Sequence, residues 1–213
     1  DPLWSRGLGD VYKRQDLCAA PGGKTAQLAA AGAEVTAMDI SASRLARLEE
    51  NFKRLRLPIQ AAQGDIRQAD IVSSGAFDGV LLDAPCSSTG TIRRHPDVAY
   101  TKSAEEVDKL AAVQADLLRH AARAVRPGGL LVFSNCSLDP AEGEDVVEAF
   151  LAEHAEYRRK PIAAGELPGL EAAISPVGDV RTTPAMAPDT NPALAGMDGF
   201  YAARLLRQPA TGG

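Results

Sequence analysis

The amino-acid sequence predicts an α/β fold with a mostly parallel sheet covered by helices on both faces. From Asp16 onward, short apolar runs alternate with segments of helical periodicity, which is typical of such sheets. Several of these runs end at a polar residue, such as Asp39 or Asp83, where the carboxyl ends of parallel strands bind ligands. The chain has 213 residues, of which 45% are hydrophobic, so one domain with a full core is expected.

The apolar runs place the strands in chain order. A first strand ends at residues 17–19, just before a glycine-rich loop, and the last run, GFYAARLL, predicts a closing strand. Residues 155–198 are rich in Pro, Gly and Ala and predict no clear element. The strands between the first and the last are predicted at 34–38, 59–62, 77–82 and 130–134, and the closing strand at 199–206.

Helical periodicity and helix-ending signals place the helices between these strands. The first helix opens at the PGGK sequence and runs to about Ala31. Ser41 is a good N-cap for the second helix, and Pro58 stops it. Two later helices are predicted at 103–125 and 142–153, with a turn at 126–129 between the third helix and the next strand.

The first fifteen residues, DPLWSRGLGDVYKRQ, do not fit this pattern. A central parallel strand normally reads as a continuous apolar run, but Lys13, Arg14 and Gln15 occupy its expected first half. We therefore expect 1–15 to be a foreign or disordered leader, 16–207 to be the catalytic domain and 208–213 to be a flexible tail.

Composition excludes several classes of protein. No apolar run approaches about 18 residues, the length of a membrane-spanning helix, and no secretory signal is visible. Three cysteines without a close C-x-x-C pair favour a reducing compartment, so we expect a cytoplasmic protein, and a monomer. The formal net charge of −5 argues against nucleic-acid binding over the whole surface but allows a local basic patch.

The sequence CAAPGGKT, residues 18–25, predicts a backbone loop that approaches a small anion. Glycines between a strand and a helix permit close approach, and the helix N-terminus offers free N–H groups. The spacing matches neither the dinucleotide fingerprint nor the nucleotide P-loop, so an amino-acid carboxylate fits better. An ordinary strand-to-helix turn explains the loop equally well by itself.

Two acidic residues suggest the rest of this ligand. Asp39 ends the second strand, where an acidic residue accepts hydrogen bonds from ribose hydroxyls, and Asp65 follows the third strand, where it could meet an adenine amino group. Each alone is more typical of a helix N-cap or a solvated turn. Together with the loop they favour a nucleoside that carries a carboxylate, and S-adenosylmethionine is the simplest such molecule.

All three cysteines, Cys18, Cys86 and Cys136, fall at or just after predicted strand ends. A zinc site would need four ligands, or three plus water, and the spacings of these cysteines and His95 match no familiar pattern, so no metal is expected. A buried inert thiol is the common reading of any single cysteine. A nucleophilic cysteine needs an environment that favours the thiolate, such as nearby cations or a helix N-terminus. The candidate cations in this chain are Lys24, Arg93 and Arg94.

Four motifs together carry a family resemblance: DLCAAPGGKT, DAPCSSTGTIRRHPD, SNCSLDPAEGEDVVEAFL and MDGFYAARLLR. In this order they resemble the RNA cytosine-C5 methyltransferases of the Sun/Fmu family, most of all the bacterial enzymes that act on 16S ribosomal RNA, over residues 16 to about 207. Two departures stand out: Asn135 replaces the more usual Thr, and the upstream RNA-binding region of the family is missing. The resemblance implies an N-terminally truncated member with a class I, S-adenosylmethionine-dependent, seven-stranded Rossmann-like fold.

The resemblance also implies roles for individual residues. Cys136 would attack the cytosine, Cys86 would assist release of the covalent adduct, Asp83 would hold the pyrimidine edge, and Lys24 would orient Asp83 or the ligand. The expected cofactor-binding residues are Cys18, Ala19, Ala20, Pro21, Gly22, Gly23, Lys24, Asp39, Arg44, Asp65 and Asp83.

The tail of the second motif, Arg93, Arg94 and His95, is a candidate contact with the RNA backbone, because arginine pairs well with phosphate. A solvated loop is the ordinary alternative for these three residues. For the chain as a whole, the alternatives to a ribosomal RNA substrate are cytosine methylation of transfer RNA or DNA, and a truncated domain that binds cofactor or RNA without turnover.

Overall fold

The computed structural model describes residues 12–68, 75–187, 191 and 195–209. In this part of the chain, the strands are β1 (Lys13–Leu17), β2 (Glu34–Asp39), β3 (Gln60–Gln63), β4 (Phe77–Asp83), β5 (Val125–Asn135), β6 (Tyr157–Arg159), β7 (Val180–Thr182) and β8 (Phe200–Arg207). The helices are α1 (Gly23–Ala30), α2 (Ala42–Leu55), α3 (Val98–Thr101), α4 (Ala104–Ala124) and α5 (Glu144–Glu153).

The described residues pack into two compact units. Of the described residues, the first unit contains 12–68, 75–83, 117–132 and 206–209, and the second contains 84–116, 133–187, 191 and 195–205. Helix α4 and strands β5 and β8 each contribute residues to both units.

In the first unit, the strand order is β3-β2-β1-β4, followed by β5. The β1–β2, β1–β4 and β2–β3 pairs are parallel. Leu17 lies opposite both Met38 and Leu82, so β1, β2 and β4 end level with one another. The residues that follow or close these strands therefore emerge at one edge of the sheet, as the sequence predicted.

Apolar side chains of α1 and α2 form the core of the first unit together with residues of β2, β4 and the glycine-rich loop. Helix α2 begins at its predicted N-cap, because the Ser41 hydroxyl accepts a hydrogen bond from the N–H group of Arg44. Its buried face carries Leu45, Leu48 and Phe52 at helical spacing. The buried cluster consists of Ala19, Ala20, Leu28, Ala29, Val35, Ala37, Leu48, Phe52 and Leu81.

In the second unit, the end of β5 is followed by β8 and then β6, and β7 pairs with β8 in the antiparallel direction. Phe133 and Tyr201 meet edge to face, with their ring centroids 6.3 Å apart. Helix α5 buries Val146, Val147 and Phe150. The Phe150 ring in turn packs against Tyr157 of β6, with 5.3 Å between ring centroids.

The predicted α/β class is confirmed, with two corrections. The described residues form eight strands instead of seven, because β6 and β7 lie in the segment that predicted no element. The turn predicted at 126–129 is wrong, because β5 already begins at Val125. Gly128 takes a φ of +78°, and a Cβ atom on Gly129 would lie 3.0 Å from the Asp78 carbonyl oxygen, so both glycines serve a closely packed strand.

The predicted leader overlaps β1. Residues 1–11 lie outside the described residues, while Lys13, Arg14 and Gln15 pair with β2, and Arg14 and Gln15 also pair with β4. Gln15 is almost completely buried, and among the described residues its Oε1 atom has no hydrogen-bond partner. The foreign origin of this leader stays a prediction, and so do the domain limits and the flexible tail at 208–213. Within the described segments, none of the helices has the length and hydrophobicity needed to cross a membrane.

Candidate active site

The first unit contains a cleft beside the glycine-rich loop. Its volume is about 390 Å³, within the range of about 300–1,000 Å³ typical of small-molecule sites. Both polar side chains and loop backbone line it. The lining residues are Asp16, Cys18, Ala19, Ala20, Pro21, Gly23, Lys24, Gln27 and Asp83.

The loop that forms this cleft depends on Gly22. Gly22 has a φ of +100°, and a Cβ atom there would lie 3.0 Å from Leu48 and 3.1 Å from Phe52. No side chain caps the N-terminus of α1 at this position. The loop therefore leads into a helix N-terminus whose dipole and N–H groups favour a carboxylate.

Asp16 is a site residue that the sequence analysis did not single out. It is 1% exposed, and its Oδ2 atom accepts a hydrogen bond of 2.5 Å from the Thr25 hydroxyl. Its Oδ1 atom has no hydrogen-bond partner among the described residues, although Asp16 lines the cleft. Burial raises the pKa of this carboxyl from 3.8 to about 7, against the lowering effect of the Thr25 hydrogen bond. Its position directly before the LCAAPGGKT loop was the available signal.

Lys24 and Asp83 form an ion pair across the same cleft. The Lys24 Nζ atom donates to Asp83 Oδ2 at 2.6 Å, and each side chain is about one-third exposed. Their separation in sequence is 59 positions, so the ends of two different elements bring them together. The structure thus joins two of the four predicted catalytic residues.

Asp39 and Asp65, the residues predicted to bind the ribose and the adenine, do not line the cleft. Asp39 is buried, and its carboxylate accepts hydrogen bonds from the Ala20 N–H at 3.2 Å, the Ser41 N–H at 2.9 Å and Arg44 Nη2 at 2.7 Å. Asp39 thereby ties the glycine-rich loop to the start of α2. Asp65 forms a bidentate pair with Arg67, whose hydrogen bonds lower the pKa of Asp65.

The second unit brings the other two predicted catalytic residues together. The sulfur atoms of Cys86 and Cys136 lie 3.5 Å apart, in contact but not bonded. The Ser88 hydroxyl lies 3.6 Å from the Cys136 sulfur and 3.9 Å from the Cys86 sulfur. The hydrogen bond to Cys136, together with burial, raises the pKa of Cys86 far above its ordinary value. Cys86 is therefore a protonated thiol at neutral pH.

Cys18 belongs to the first unit and has a different environment. Burial, the largest influence, and the nearby carboxylate of Asp39 raise the pKa of its thiol to about 12. A thiol with this pKa is protonated and unreactive at neutral pH. Within the described residues no group of three or more His, Cys, Asp or Glu side chains is arranged to hold a metal ion.

A buried polar network surrounds the two thiols and was missed from the sequence. Its centre is Glu142, which is fully buried and contacts Ser87 and Gln114. Asn135, the departure from the family pattern, donates to the carbonyl oxygen of Glu142 and accepts from the N–H of Ser137. The available signal was that Ser87, Asn135 and Glu142 lie within the two motifs that carry Cys86 and Cys136.

The two arginines predicted to contact RNA have different surroundings in the structure. Arg94 is held by Asp198, with Nε–Oδ2 at 2.8 Å and Nη2–Oδ2 at 2.5 Å. Hydrogen bonds from Arg94 lower the pKa of Asp198. Arg93 and His95 are exposed on the same segment, and the Arg94 side chain is also about half exposed.

A family model described as 16S rRNA methyltransferase RsmB/F matches residues 12–206. Curated relatives with the name ribosomal RNA small subunit methyltransferase B include one from Serratia proteamaculans, 44% identical over 157 residues, which covers 72% of this chain and 37% of the relative. The relative from Erwinia tasmaniensis is 40% identical over 198 residues, covering 91% of this chain and 42% of the relative. The chain thus spans about two-fifths of the length of these relatives.

Solved structures show the same likeness. PH0851 has a TM-score of 0.79 and 32% identity, covering 92% of this chain and 42% of that one. NSun6 from Pyrococcus horikoshii, solved with the S-adenosylmethionine analogue SFG, has a TM-score of 0.75 and 26% identity, covering 92% of this chain and 48% of that one. These findings confirm the predicted class I methyltransferase fold and the prediction of S-adenosylmethionine as the cofactor.

Proposed function

Because the chain belongs to the RsmB/F family of 16S rRNA methyltransferases, we propose that it methylates carbon 5 of a cytosine in RNA, with 16S ribosomal RNA as the substrate. The family membership agrees with the resemblance predicted from the four sequence motifs. The single observation that carries the finer proposal is the contact of 3.5 Å between the Cys86 and Cys136 sulfur atoms. Two thiols in contact suit a reaction in which one forms a covalent bond to the base and the other assists its release.

The proposed reaction begins with covalent catalysis, because carbon 5 of cytosine is a poor nucleophile. The Cys136 thiolate adds to carbon 6 of the base, which makes carbon 5 enamine-like and able to take a methyl group. S-adenosylmethionine, when bound, would supply that methyl group through cleavage of its sulfonium–methyl bond, with S-adenosylhomocysteine as the leaving group. A base then removes the proton from carbon 5, and the Cys136 thiolate leaves carbon 6 as the double bond reforms.

The contact between the two thiols supports these roles. The Cys86 and Cys136 sulfur atoms lie 3.5 Å apart, and the raised pKa of Cys86 keeps a proton on the thiol next to Cys136. A donor beside Cys136 stabilises a negative charge on its sulfur, which is the form that attacks. Cys86 then stands next to the carbon–sulfur bond that must break, and we assign it to release of the product.

Substitution of each cysteine tests these roles separately. We expect Cys136→Ser to abolish methylation of 5-tritiated cytosine in RNA, measured as tritium release, because the nucleophile is lost. We expect Cys86→Ala to accumulate a covalent protein–RNA adduct, visible as a shifted band on a denaturing gel. The reverse pattern would make Cys86 the nucleophile and contradict the proposal, since DNA cytosine methyltransferases use the thiol that follows proline.

We further propose that the cleft of the first unit holds the cofactor. The unpartnered Oδ1 atom of Asp16 and the uncapped N-terminus of α1 support this, since each has polar capacity left for a ligand. We propose that the loop at residues 18–24 binds the cofactor carboxylate. Asp39 and Asp65 lie outside the lining of the cleft, so they would bind the ribose and the adenine only where the cofactor extends beyond it, and Asp39 would then exchange its pairing with Arg44 for the ribose. Calorimetric titration with S-adenosylmethionine tests the site, and absence of binding would contradict it.

Asp83 and Lys24 complete the proposed active site. We propose that Asp83 binds the N3/N4 edge of the cytosine and shares a proton with it, while Lys24 orients the Asp83 carboxylate. The ion pair of 2.6 Å between their side chains supports the orienting role.

For the RNA backbone, we propose a phosphate contact by Arg93, with a smaller part for Arg94. Arg93 is exposed, whereas Arg94 is already committed to Asp198. We expect Arg93→Gln to weaken RNA binding and to flatten its dependence on salt, because one fewer phosphate is neutralised. Arg94→Gln is the matched comparison, and an equal or larger effect of Arg94→Gln on the salt slope would reject the assignment.

A further inference from the structure

We propose that Glu142 is a positioning residue, which holds the Pro-Cys loop and the Asn-Cys-Ser segment together so that the Cys86 and Cys136 thiols stay in contact. This inference rests on the proposed two-cysteine reaction. Glu142 lies in the short turn of Pro140–Glu142 that precedes α5, and it is fully buried. Glu142 lies within the SNCSLDPAEGEDVVEAFL motif, but the family resemblance assigned no role to its side chain.

One side of the arrangement is the loop that carries Cys86. The Oε1 atom of Glu142 accepts a hydrogen bond of 2.8 Å from the N–H of Ser87, which directly follows Cys86. The Ser87 hydroxyl donates to the other carboxylate oxygen, Oε2. Both oxygens of one carboxylate thus hold the residue next to Cys86, although 55 positions separate the two in sequence.

Gln114 of α4 holds the same loop from the other side of Cys86. Its Nε2 group donates to the Glu142 Oε1 atom at 3.0 Å and to the Pro85 carbonyl oxygen at 2.9 Å. Pro85 directly precedes Cys86. The residues on both sides of this cysteine are therefore fixed by Glu142 or by a side chain that Glu142 binds.

The segment that carries Cys136 is tied to the backbone of the same glutamate. Asn135 Nδ2 donates to the Glu142 carbonyl oxygen at 2.5 Å, and Asn135 Oδ1 accepts from the Ser137 N–H at 2.9 Å. Asn135 and Ser137 flank Cys136. Glu142 is thus one residue whose side chain binds the flank of one thiol and whose main chain binds the flank of the other.

A buried carboxylate is an expensive way to stabilise a fold, because its desolvation must be offset by hydrogen bonds. In other proteins, replacing a buried ion pair by apolar residues of similar volume is often neutral or stabilising. What the carboxylate adds is direction, since its two oxygens accept from three donors at fixed angles. Direction is what the reaction requires, because the two thiols must act on the same base in succession.

The test removes the hydrogen bonds that the Glu142 carboxylate accepts. It then measures the proximity of the Cys86 and Cys136 thiols by a method that does not depend on methylation. Glu142→Leu keeps the volume but loses the three accepted hydrogen bonds. Glu142→Gln keeps one acceptor oxygen for Ser87 and Gln114, and its amide can donate to the Ser87 hydroxyl. Phenylarsine oxide is the probe: each thiol loses its proton as its sulfur bonds to arsenic, and the arsenic-bound oxygen leaves as water. Bridging therefore reports that two thiols are in reach of one arsenic atom.

We expect Glu142→Leu to slow arsenical bridging and to lower kcat for RNA methylation by about 100-fold, the scale for a displacement of about 1 Å at a reacting group. The KM for RNA stays unchanged, and Glu142→Gln restores most of both quantities. Glu105→Gln, which removes an exposed carboxylate from α4, is the control and leaves both quantities at the wild-type level. Bridging by folded Glu142→Leu at the wild-type rate would overturn the proposal, whatever happens to methylation.

A second variant covers the case in which Glu142→Leu does not fold. Gln114→Met removes the donor to Pro85 and to Glu142 while keeping a side chain of similar length, and it is expected to slow bridging by a smaller factor. Unchanged bridging in Gln114→Met would then overturn the proposal. If the wild-type chain bridges the arsenical but forms no 5-methylcytosine in RNA, the proposed function fails, and the bridging rates still decide the role of Glu142.

Discussion

The proposed cofactor cleft of the first unit and the thiol pair of the second differ in how far their polar groups are already hydrogen-bonded within the protein. In the cleft, Asp16 keeps an oxygen without a partner among the described residues, and α1 begins without a side-chain cap. Around the thiols, both oxygens of Glu142 are occupied by donors from the protein itself. The cleft therefore leaves hydrogen-bonding capacity for a ligand, whereas the thiol pair has its geometry fixed before any substrate arrives.

The largest expected change in the free energy of unfolding comes from a substitution at Gly90, whose backbone packs closely against the backbone of Cys136 and Gly199. Gly90 donates to the Cys136 carbonyl oxygen at 2.8 Å and accepts from the Gly199 N–H at 2.8 Å. A Cβ atom at Gly90 would lie 2.1 Å from the Gly199 oxygen and 2.7 Å from the Cys136 oxygen. We expect Gly90→Ala to lower the free energy of unfolding by about 3 kcal/mol, measured by urea denaturation.

Gly165→Ala is the matched control for this substitution. A Cβ atom at Gly165 meets no atom within 4 Å, and the residue lies in the same unit. We expect its free energy of unfolding to stay within about 0.5 kcal/mol of the wild-type value. Equal losses in the two variants would show that the approach at Gly90 does not hold the Cys136 segment in place.

A smaller effect on the free energy of unfolding, which depends on pH, is expected from Asp16 in the cleft. The folded chain binds a proton at Asp16 up to about pH 7, whereas an unfolded chain releases it near the ordinary value of 3.8. The native state thus binds more protons between these values, so Asp16 makes the free energy of unfolding fall as pH rises from about 4 to about 7. The slope is at most about 1.4 kcal/mol per pH unit, and it disappears above the folded pKa.

Asp16→Asn tests this contribution, because asparagine keeps the shape of the side chain and cannot titrate. We expect the free energy of unfolding of Asp16→Asn to fall less steeply than that of the wild type between pH 4 and 7, in chemical denaturation at each pH. Asp108→Asn, which changes an exposed carboxylate on α4, serves as the control and keeps the wild-type slope. Parallel curves for the wild type and Asp16→Asn would contradict the raised pKa.

Much of the first unit could be predicted from local sequence. The glycine-rich loop, the Ser41 cap and the apolar face of α2 each depend on residues that are close in the chain, and the structure agrees with each. β6 and β7 could not be predicted, because strands of three residues form only where a neighbour such as β8 offers hydrogen bonds. The predicted turn at 126–129 was wrong for the same reason: packing against Asp78 decides the conformation of the glycines.

The α/β class and the family follow from the sequence alone, which also marked Cys86 and Cys136 as candidates, because motif order and strand-end position are properties of the chain. Only the tertiary structure decided that Cys86 and Cys136 touch, that Arg94 is committed to Asp198, and that Glu142 joins the flanks of both thiols. These contacts join residues between 7 and 104 positions apart. Most of them arise only when strands and helices that are distant in sequence are packed together, since burial then fixes which donor meets which acceptor.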